Sequence, residues 1–342
     1  MWKWVFLLVF IISCEGNNEP AKLVHLEIPA HFPEPPAFPE RNPLTEQGIE
    51  LGRMLFYDPI LSANGSVSCA TCHNPQIAFT DGMPRTRMGV SQNRLDRHSP
   101  PLFNLAWHTE FFWDGGANDL ESQAFGPLQH PDEMAADIVA VIEKMNEGKV
   151  YPKMFEKAFG SDTITSAGIV RALAQFQRTI ISADSRYDRY MAGGEELSSL
   201  ELRGLELFNQ HCESCHQPPL FTDLGYHNNG LNINFSSDKE GIFQGRFRIS
   251  QDSADIGTFK TPSLRNLAFT APYMHDGRMR SLDRVLDFYA GDIKWSPTLS
   301  ERIPAEGFGF DDEEKAALIA FLLSLTDEDF VKNPKYSKPP AH

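Results

Sequence analysis

The sequence predicts an all-α protein made of two related halves that are joined by long loops. Three observations support this fold class: the helical spacing of apolar residues, the lack of strand-like alternating runs, and an internal repeat. Several helical segments begin at Ser, Thr or Asp, the residues that cap helix N-termini. The predicted helices span residues 45–56, 131–147, 165–181, 198–211, 282–288 and 311–325.

The repeat consists of three pairs of matching strings. LGRMLF at 51–56 matches RGLELF at 203–208, and AFTD at 78–81 matches LFTD at 220–223. SPPLFNLAWHTEFFWDG at 99–115 aligns without a gap with TPSLRNLAFTAPYMHDG at 261–277. Two related domains are therefore expected.

The length and composition suit two soluble domains. The chain has 342 residues, of which 41% are hydrophobic and 23% are charged. The boundary is expected near the Ala-Gly-Gly string at 192–194, which separates domains at 44–194 and 195–330 and leaves a tail at 331–342. The formal charge of −15 argues against a nucleic-acid partner, whose phosphates would be repelled, and favours a basic protein partner.

The N-terminus is interpreted as an export signal. Residues 1–14 contain Lys3, a short apolar run at 4–12 and an Ile-Ser-Cys ending that resembles the lipobox of bacterial lipoproteins. Cleavage before Cys14 and lipidation of its thiol are expected, and an ordinary signal peptide that contains a Cys is the alternative. Either outcome places the mature chain in the periplasm. Residues 15–43 are rich in Pro and are expected to form an extended tether or arm.

The remaining four cysteines determine the class of cofactor. They lie in two C-x-x-C-H strings, CATCH at 69–73 and CESCH at 212–216. In such a string two thiols add to the vinyl groups of a haem, and the adjacent His binds the iron. A zinc ribbon would need its Cys pairs about 15–20 residues apart, and a disulfide frame would not need the His. Two cytochrome-c-like domains with covalent haem c are therefore predicted, attached through Cys69, Cys72, His73, Cys212, Cys215 and His216.

The aligned repeat also shows where the two haem sites differ. Trp113 aligns with His275, and Pro127 aligns with Tyr289. If the loops bring the second pair of positions over the irons, Pro127 offers no ligand whereas the phenol of Tyr289 does. The first haem would then be open and the second closed. Met274 and Met279 are rival ligands, and His275 is expected to hold a haem propionate or a backbone group.

From residue 44 to residue 325 the sequence resembles the bacterial dihaem cytochrome c peroxidase family, including its MauG branch. The resemblance is carried by the paired C-x-x-C-H strings and by FWDG, ESQA, PDEM, FKTPSLRN and YMHDG. It implies that the first haem reacts with hydrogen peroxide and that the second relays electrons. It further implies that Trp113 lies between the haems, that Gln123 lies over the first haem, and that Glu133 is the catalytic acid.

The chemistry of these residue types agrees with those roles. Glu133 can take a proton from one peroxide oxygen and return it to the other. Gln123 can donate and accept hydrogen bonds without a change of charge, and Trp113 offers an oxidisable ring. The alternative interpretations are a solvated Glu133 near a helix start, where the helix dipole favours acids, and a Trp113 that only packs in the core.

Three departures from the family are visible. Classical members have Met as the second ligand of the electron-relay haem, whereas this chain has Tyr289, as in the MauG branch. No His lies between His73 and His98, so no side chain of that loop is expected to close the first haem. His98 stands where the family has an Asn that helps to bind calcium, although Thr270 and Pro272 still match the carbonyl donors. The other histidines, His108, His130, His211 and His227, are expected at the surface or in loops.

Three functions are carried forward. The first is a peroxidase that receives electrons from a small periplasmic cytochrome c or cupredoxin. The second is a MauG-like oxidase that oxidises residues of a partner protein, although residues 208–211 hold no Trp or Tyr to conduct a hole outward. The third is an electron carrier, which Glu133 and Gln123 beside an open haem argue against. A homodimer is compatible with the sequence.

Overall fold

The computed structural model describes residues 20–82, 88–236 and 243–340. These residues form helices and short 3₁₀ turns, with a single two-stranded sheet among them. In that sheet β1 (Tyr226–His227) runs antiparallel to β2 (Phe259–Lys260). The helices are α1 (Glu46–Tyr57), α2 (Cys69–Cys72), α3 (Leu120–Gln123), α4 (Phe125–Gln129), α5 (Ile138–Glu147), α6 (Val150–Phe159), α7 (Ser166–Arg178), α8 (Arg186–Met191), α9 (Ser199–His211), α10 (Phe247–Ser250), α11 (Leu282–Gly291) and α12 (Asp312–Ser324). The prediction of a helical fold is confirmed.

Two helix pairs show why the repeated strings recur. Helix α1 packs against α7, and a Cβ added at Gly52 would lie only 1.9 Å from the carbonyl oxygen of Ala172. Helix α9 packs against α12 in the same way, since a Cβ at Gly204 would lie 2.0 Å from the carbonyl oxygen of Ala317. The glycine shared by LGRMLF and RGLELF therefore permits the same close crossing in both halves.

The loops of the two halves also follow one path. Phe111 pairs with Ala117 in an isolated antiparallel bridge, and Tyr273 pairs with Met279 in another. Phe111 and Tyr273 match in the aligned strings at 99–115 and 261–277, and their bridge partners lie two residues beyond the end of each string. The two aligned strings therefore follow the same backbone path, so residues at matching positions of the two halves can be compared.

The hydrophobic core forms one large cluster in each half. The first includes Leu51, Phe56 and Phe176, from α1 and α7, and the second includes Phe208 and Phe321, from α9 and α12. All five side chains are at least 99% buried. Each C-x-x-C-H string follows the first helix of its pair, so the core anchors the segment that carries the cofactor ligands.

The predicted start of the helix at 131–147 was wrong. The helix begins only at Ile138, where the Asp137 side chain accepts hydrogen bonds from the amides of Val139 and Ala140. Before it, residues 130–136 form a tight turn that contains Ala135 at φ 48°. Glu133 is therefore a turn residue and not a residue of the first helical turn. The other predicted helices agree with α1, α7, α9, α11 and α12 to within three residues at each end. Helices α2, α3, α4, α6, α8 and α10 were not predicted.

The Pro-rich segment lies against the body of the protein from residue 20 onward. Phe32 is 93% buried, and its ring meets that of Trp107 edge-on at 5.0 Å. The indole Nε1 of Trp107 donates a hydrogen bond to the carbonyl oxygen of Pro33. The C-terminal tail packs as well, because the Arg53 guanidinium donates to the carbonyl oxygen of Ser337.

The predicted signal at 1–14 and the lipidated Cys14 lie outside the described residues. Among the helices that are described, none has the length and apolar character required to cross a membrane.

Candidate active site

The first cavity brings together residues from four separate segments. Helix α2 supplies Cys69 and Cys72, the end of α3 supplies Gln123, α4 supplies Pro127, and the turn after α4 supplies Glu133. The cavity encloses about 570 Å³, its mouth included. Its lining consists of Phe56, Val67, Cys69, Cys72, His73, Leu102, Gln123, Ala124, Pro127, Leu128, Glu133, Met134, Leu173 and Gln177. Gln123, Pro127 and Glu133, which the sequence assigned to the first haem, therefore share one cavity with its attachment string.

His73 is oriented by the backbone that follows it. Its Nδ1 lies 2.9 Å from the carbonyl oxygen of Phe79. A carbonyl only accepts hydrogen bonds, so Nδ1 carries the proton and Nε2 carries the lone pair that a metal needs. Burial lowers the pKa of His73, which favours the neutral ligand form.

The second cavity is larger, at about 1530 Å³ with its mouth included, and has the same arrangement. Its lining includes Cys212, Cys215 and His216 together with Tyr289. The Nδ1 of His216 lies 3.2 Å from the carbonyl oxygen of Phe221, the residue that matches Phe79 in the repeat. A carbonyl of the repeated F-T-D string therefore lies beside each proximal histidine, and at His216 the carbonyl oxygen of Pro262 lies equally close to Nδ1, at 3.1 Å.

These residues fit covalent haem c at both cavities. The four cysteines of the two strings are free thiols, each partly exposed, and none forms a disulfide. Each cavity is lined by apolar side chains and receives one oriented imidazole. This donor set of two thiols and one imidazole matches the attachment and ligation of haem c.

Tyr289 lies in the second cavity, as predicted from its alignment with Pro127. Its hydroxyl accepts a hydrogen bond from the Asn229 amide nitrogen at 3.1 Å. Burial raises the pKa of Tyr289 to about 12, although this hydrogen bond lowers it in part. Met274 also lines the cavity, with its sulfur 3.7 Å from the same Asn229 nitrogen, whereas Met279 is not among the lining residues. The sequence contained no signal for Asn229.

Glu133 is held on the tight turn that replaces the predicted start of the helix. The amide of Val90 donates to its carbonyl oxygen at 2.7 Å, which ties the turn to the neighbouring loop. Burial raises the pKa of the Glu133 carboxyl, and the nearby His130 opposes this rise in part. A carboxyl with a raised pKa takes up and releases protons closer to neutral pH, as an acid–base catalyst requires.

Trp113 is connected to both cavities. It is 91% buried and lines the second cavity, and its Nε1 donates to the carbonyl oxygen of His98 at 2.8 Å. The His98 ring in turn lies 3.2 Å from the hydroxyl of Thr80. Thr80 follows Phe79, whose carbonyl holds His73. A chain of bonds and hydrogen bonds thus leads from the first proximal histidine to Trp113.

His98 does not supply the amide oxygen that calcium would use at this position. Its Nδ1 lies 2.6 Å from a carboxylate oxygen of Asp81, and both side chains are at least 96% buried. Calcium prefers oxygen ligands, and an imidazole paired with a carboxylate does not offer one. Thr270 and Pro272 are buried and line the second cavity. Calcium binding through their carbonyl oxygens stays a prediction.

His275 lies beside Trp113, with the two ring centroids 6.5 Å apart. Its ring stacks on Phe259 at 3.6 Å, and burial lowers its pKa to about 3. Its backbone oxygen accepts a hydrogen bond from the amide of His98. Its Nε2 is buried and has no hydrogen-bond partner among the described residues, which suits a contact with a polar group of a bound cofactor.

A further group around Cys215 was not found from the sequence. His227 and Arg302 both contact one carboxylate oxygen of Asp223, at 2.8 and 3.0 Å. Burial raises the pKa of the Cys215 thiol, but hydrogen bonds with His227 and Arg302 more than offset this and leave it lowered. Cys215, Asp223 and His227 are close enough to bind a metal, but Cys215 belongs to the haem string. His211 and His227, which were expected at the surface or in loops, both line the second cavity.

Comparison with known proteins gives the family. The sequence profile described as di-haem cytochrome c peroxidase matches residues 46–196. Over 300 residues the chain is 40% identical to the methylamine utilization protein MauG of Methylorubrum extorquens, an alignment that covers 86% of this chain and 83% of that protein. The chain belongs to the di-haem cytochrome c peroxidase and MauG family. Members of this family carry covalently bound haem c.

Other relatives are named either as peroxidases or as MauG-like proteins. The chain is 33% identical to the cytochrome c551 peroxidase of Nitrosomonas europaea, over 82% of this chain and 80% of that protein. It also resembles the crystal structure of a MauG-like protein associated with microbial copper homeostasis, with a TM-score of 0.83, 35% identity, and coverage of 92% and 99% of the two chains. The family therefore identifies a dihaem oxidoreductase and does not by itself select between a peroxidase and an oxidase.

Proposed function

We propose that this protein reduces hydrogen peroxide to water at its first haem, with electrons that enter through the second haem from a small periplasmic cytochrome c or cupredoxin. One observation carries this proposal: Glu133 and Gln123 line the same cavity as Cys69, Cys72 and His73. In each turnover one hydrogen peroxide, two electrons and two protons give two molecules of water. An electron carrier would gain nothing from an acid and an amide beside an open metal site.

The haem iron supplies the redox centre at which the O–O bond is broken. The Glu133 carboxylate takes a proton from one peroxide oxygen and returns it to the other, which leaves as water. The Gln123 amide holds the peroxide by donating and accepting hydrogen bonds. Pro127, which also lines this cavity, has no ligand atom in its side chain and would leave the bound haem open to the substrate.

Electron supply depends on the second half of the molecule. The Trp113 indole lies against the second cavity and is bonded through His98 to the segment that holds His73. This position suits transfer of electrons between the two haems. The net charge of −15 would attract a basic donor protein through long-range steering. The proposed location is the periplasm, with a lipid anchor at Cys14.

A steady-state assay with hydrogen peroxide and a small reduced cytochrome c tests the proposal. We expect two cytochromes to be oxidised for each peroxide consumed. Oxidation at the uncatalysed rate would contradict a peroxidase. The second candidate, a MauG-like oxidase, is favoured by Tyr289 in the second cavity. It would oxidise the donor slowly and instead add peroxide-dependent oxidation products to the residues of a partner protein, which mass spectrometry would detect.

Tyr289 is proposed as the second ligand of the second haem. A phenolate stabilises ferric iron, whereas a thioether stabilises the ferrous state. The substitution Tyr289→Met is therefore expected to raise the reduction potential of the second haem and to leave ligand binding at the first haem nearly unchanged. A spectroscopic redox titration measures both haems.

Tyr273→Phe is the matched control for Tyr289→Met. Tyr273 lines the same cavity, but its hydroxyl donates to the carbonyl oxygen of Leu267 and is thereby engaged with the backbone. Its replacement is expected to leave both potentials unchanged. If the second haem has the same reduction potential in the wild type and in Tyr289→Met, Tyr289 is not a ligand of its iron.

A further inference from the structure

His130 and Glu133 belong to one closed turn at the edge of the first cavity. The carbonyl oxygen of His130 accepts hydrogen bonds from the amides of Glu133 and Ala135, each at 3.0 Å. The turn is tied to the cavity wall because the amide of Met134 donates to the carbonyl oxygen of Pro127. As a result, the His130 Nδ1 lies 3.7 Å from a carboxylate oxygen of Glu133. One small side-chain rotation or one bridging water would bring the two groups into proton-transfer range.

The hydrogen bonds of the turn define the protonation of the His130 ring. The backbone N–H of Asp132 donates to Nδ1 at 3.2 Å, so Nδ1 carries a lone pair and the proton of the neutral ring lies on Nε2. This contact stabilises the ring in the state that follows loss of a proton from Nδ1. The nitrogen that faces Glu133 can therefore give up a proton and return to a satisfied hydrogen bond.

The position of His130 suits access to water. Its side chain is 35% exposed, and it is not among the residues that line the first cavity. The Glu133 side chain is 32% exposed, but it lines that cavity, which the cofactor would fill when bound. Glu133 only moves a proton between the two peroxide oxygens, so the two protons consumed in each turnover have to come from the solvent. His130 lies outside the cavity that the cofactor would fill, so it keeps its contact with solvent while its Nδ1 stays 3.7 Å from the carboxylate.

We propose that His130 is the proton relay that supplies Glu133 during turnover, an inference that rests on the proposed peroxidase function. A proton from water adds to the lone pair on Nδ1, in place of the hydrogen bond from the Asp132 amide, and gives the imidazolium form. The imidazolium then passes the proton on Nδ1 to the Glu133 carboxylate, and the neutral ring returns its lone pair to the amide of Asp132. The carboxylic acid so formed gives its proton to the oxygen that is reduced to water.

The surroundings of His130 add little competing charge. The loop at 88–93, which packs against the turn, contains no charged residue. Asp132 is the other charged residue of the turn, and its carboxylate accepts a hydrogen bond from the Asn93 side chain at 2.8 Å. A Cβ at Gly89 would lie 1.8 Å from the carbonyl oxygen of Asp132, so the loop and the turn are in close contact. Within the turn and the loop at 88–93, the charges beside the relay are therefore those of Glu133 and Asp132.

The substitution His130→Asn tests the relay in the holoenzyme. Asn can still accept the hydrogen bond of the Asp132 amide, so the turn is expected to keep its conformation. We expect kcat to fall about tenfold near pH 8, a smaller effect than the 10²–10⁴-fold of a direct acid–base group. The loss should shrink toward about pH 5, where water supplies protons faster, and KM for peroxide should stay constant.

His25→Asn is the control, since His25 is exposed on the N-terminal arm. A kcat in His130→Asn equal to the wild type across this pH range would overturn the relay. A loss that is the same at every pH would also overturn it, and would assign His130 a structural role. Haem content and absorption spectra identify a variant that has not folded, and His130→Gln then serves in its place. The proposed function is judged separately, by the steady-state assay of the wild type, and it fails if the donor is oxidised only at the uncatalysed rate.

Discussion

Replacement of Cys69 and Cys72 by Ala is expected to leave one haem per chain and to abolish peroxide turnover. Both thiols lie in the cavity that also contains Gln123 and Glu133. Without thioether bonds the haem is held only by the His73 ligand and by apolar contacts, which do not retain it through purification. The pyridine haemochrome assay measures haem per chain, and the cytochrome-linked assay measures turnover.

The matched control replaces Cys212 and Cys215 by Ala. This variant also loses one haem, but it keeps the first cavity intact. It should still react once with peroxide in stopped flow when reduced beforehand, and it should accept electrons from the donor protein much more slowly. Unchanged turnover in the variant that lacks Cys69 and Cys72 would show that the first haem is not needed for the reaction.

The substitution Glu133→Gln is expected to keep both haems and their spectra but to slow peroxide cleavage by about 10²–10⁴-fold, the range typical of an acid–base group. Gln has the same shape as Glu but cannot take up a proton. Stopped-flow mixing of the enzyme with peroxide measures this step. Glu143→Gln, at an exposed position on α5, is the control and should react at the wild-type rate.

The pH dependence gives a second readout for Glu133. Burial raises its pKa, so the carboxylate that accepts the first proton is lost at a higher pH than for an ordinary Glu. The rate of peroxide cleavage should therefore fall as the pH is lowered through this raised pKa. In Glu133→Gln that acid limb should disappear. If Glu133→Gln cleaves peroxide at the wild-type rate and its pH profile keeps the acid limb, Glu133 does not transfer the proton.

Most of the candidate site could be predicted because its signals are local or repeated. Each C-x-x-C-H string is contiguous, and the gap-free repeat relates Pro127 to Tyr289 without knowledge of the fold. Both residues indeed line the cavities of their haem strings. The helices adjoining the strings were predicted for a similar reason, since their apolar faces pack in the two cores.

The parts that could not be predicted depend on contacts between distant or irregular segments. Asn229 meets Tyr289 across 60 residues of chain, and no pattern at Asn229 indicates this contact. The turn at 130–136 was read as helix because its composition suits one, but hydrogen bonds to the backbone of His130 and the positive φ of Ala135 prevent it. His130 was expected at the surface or in a loop and does lie in a turn, but its contact with Glu133 is visible only in the folded structure.

The central claim is that the first haem is open to peroxide whereas Tyr289 closes the second. The EPR spectrum of the resting ferric protein tests this claim most directly, because it reports the ligands of both irons. The account predicts one high-spin and one low-spin haem, with cyanide converting the high-spin haem without prior reduction. Tyr289→Phe should then convert the low-spin signal to high spin. Two low-spin haems in the resting wild type would contradict the account, because an additional ligand would have to close the first cavity.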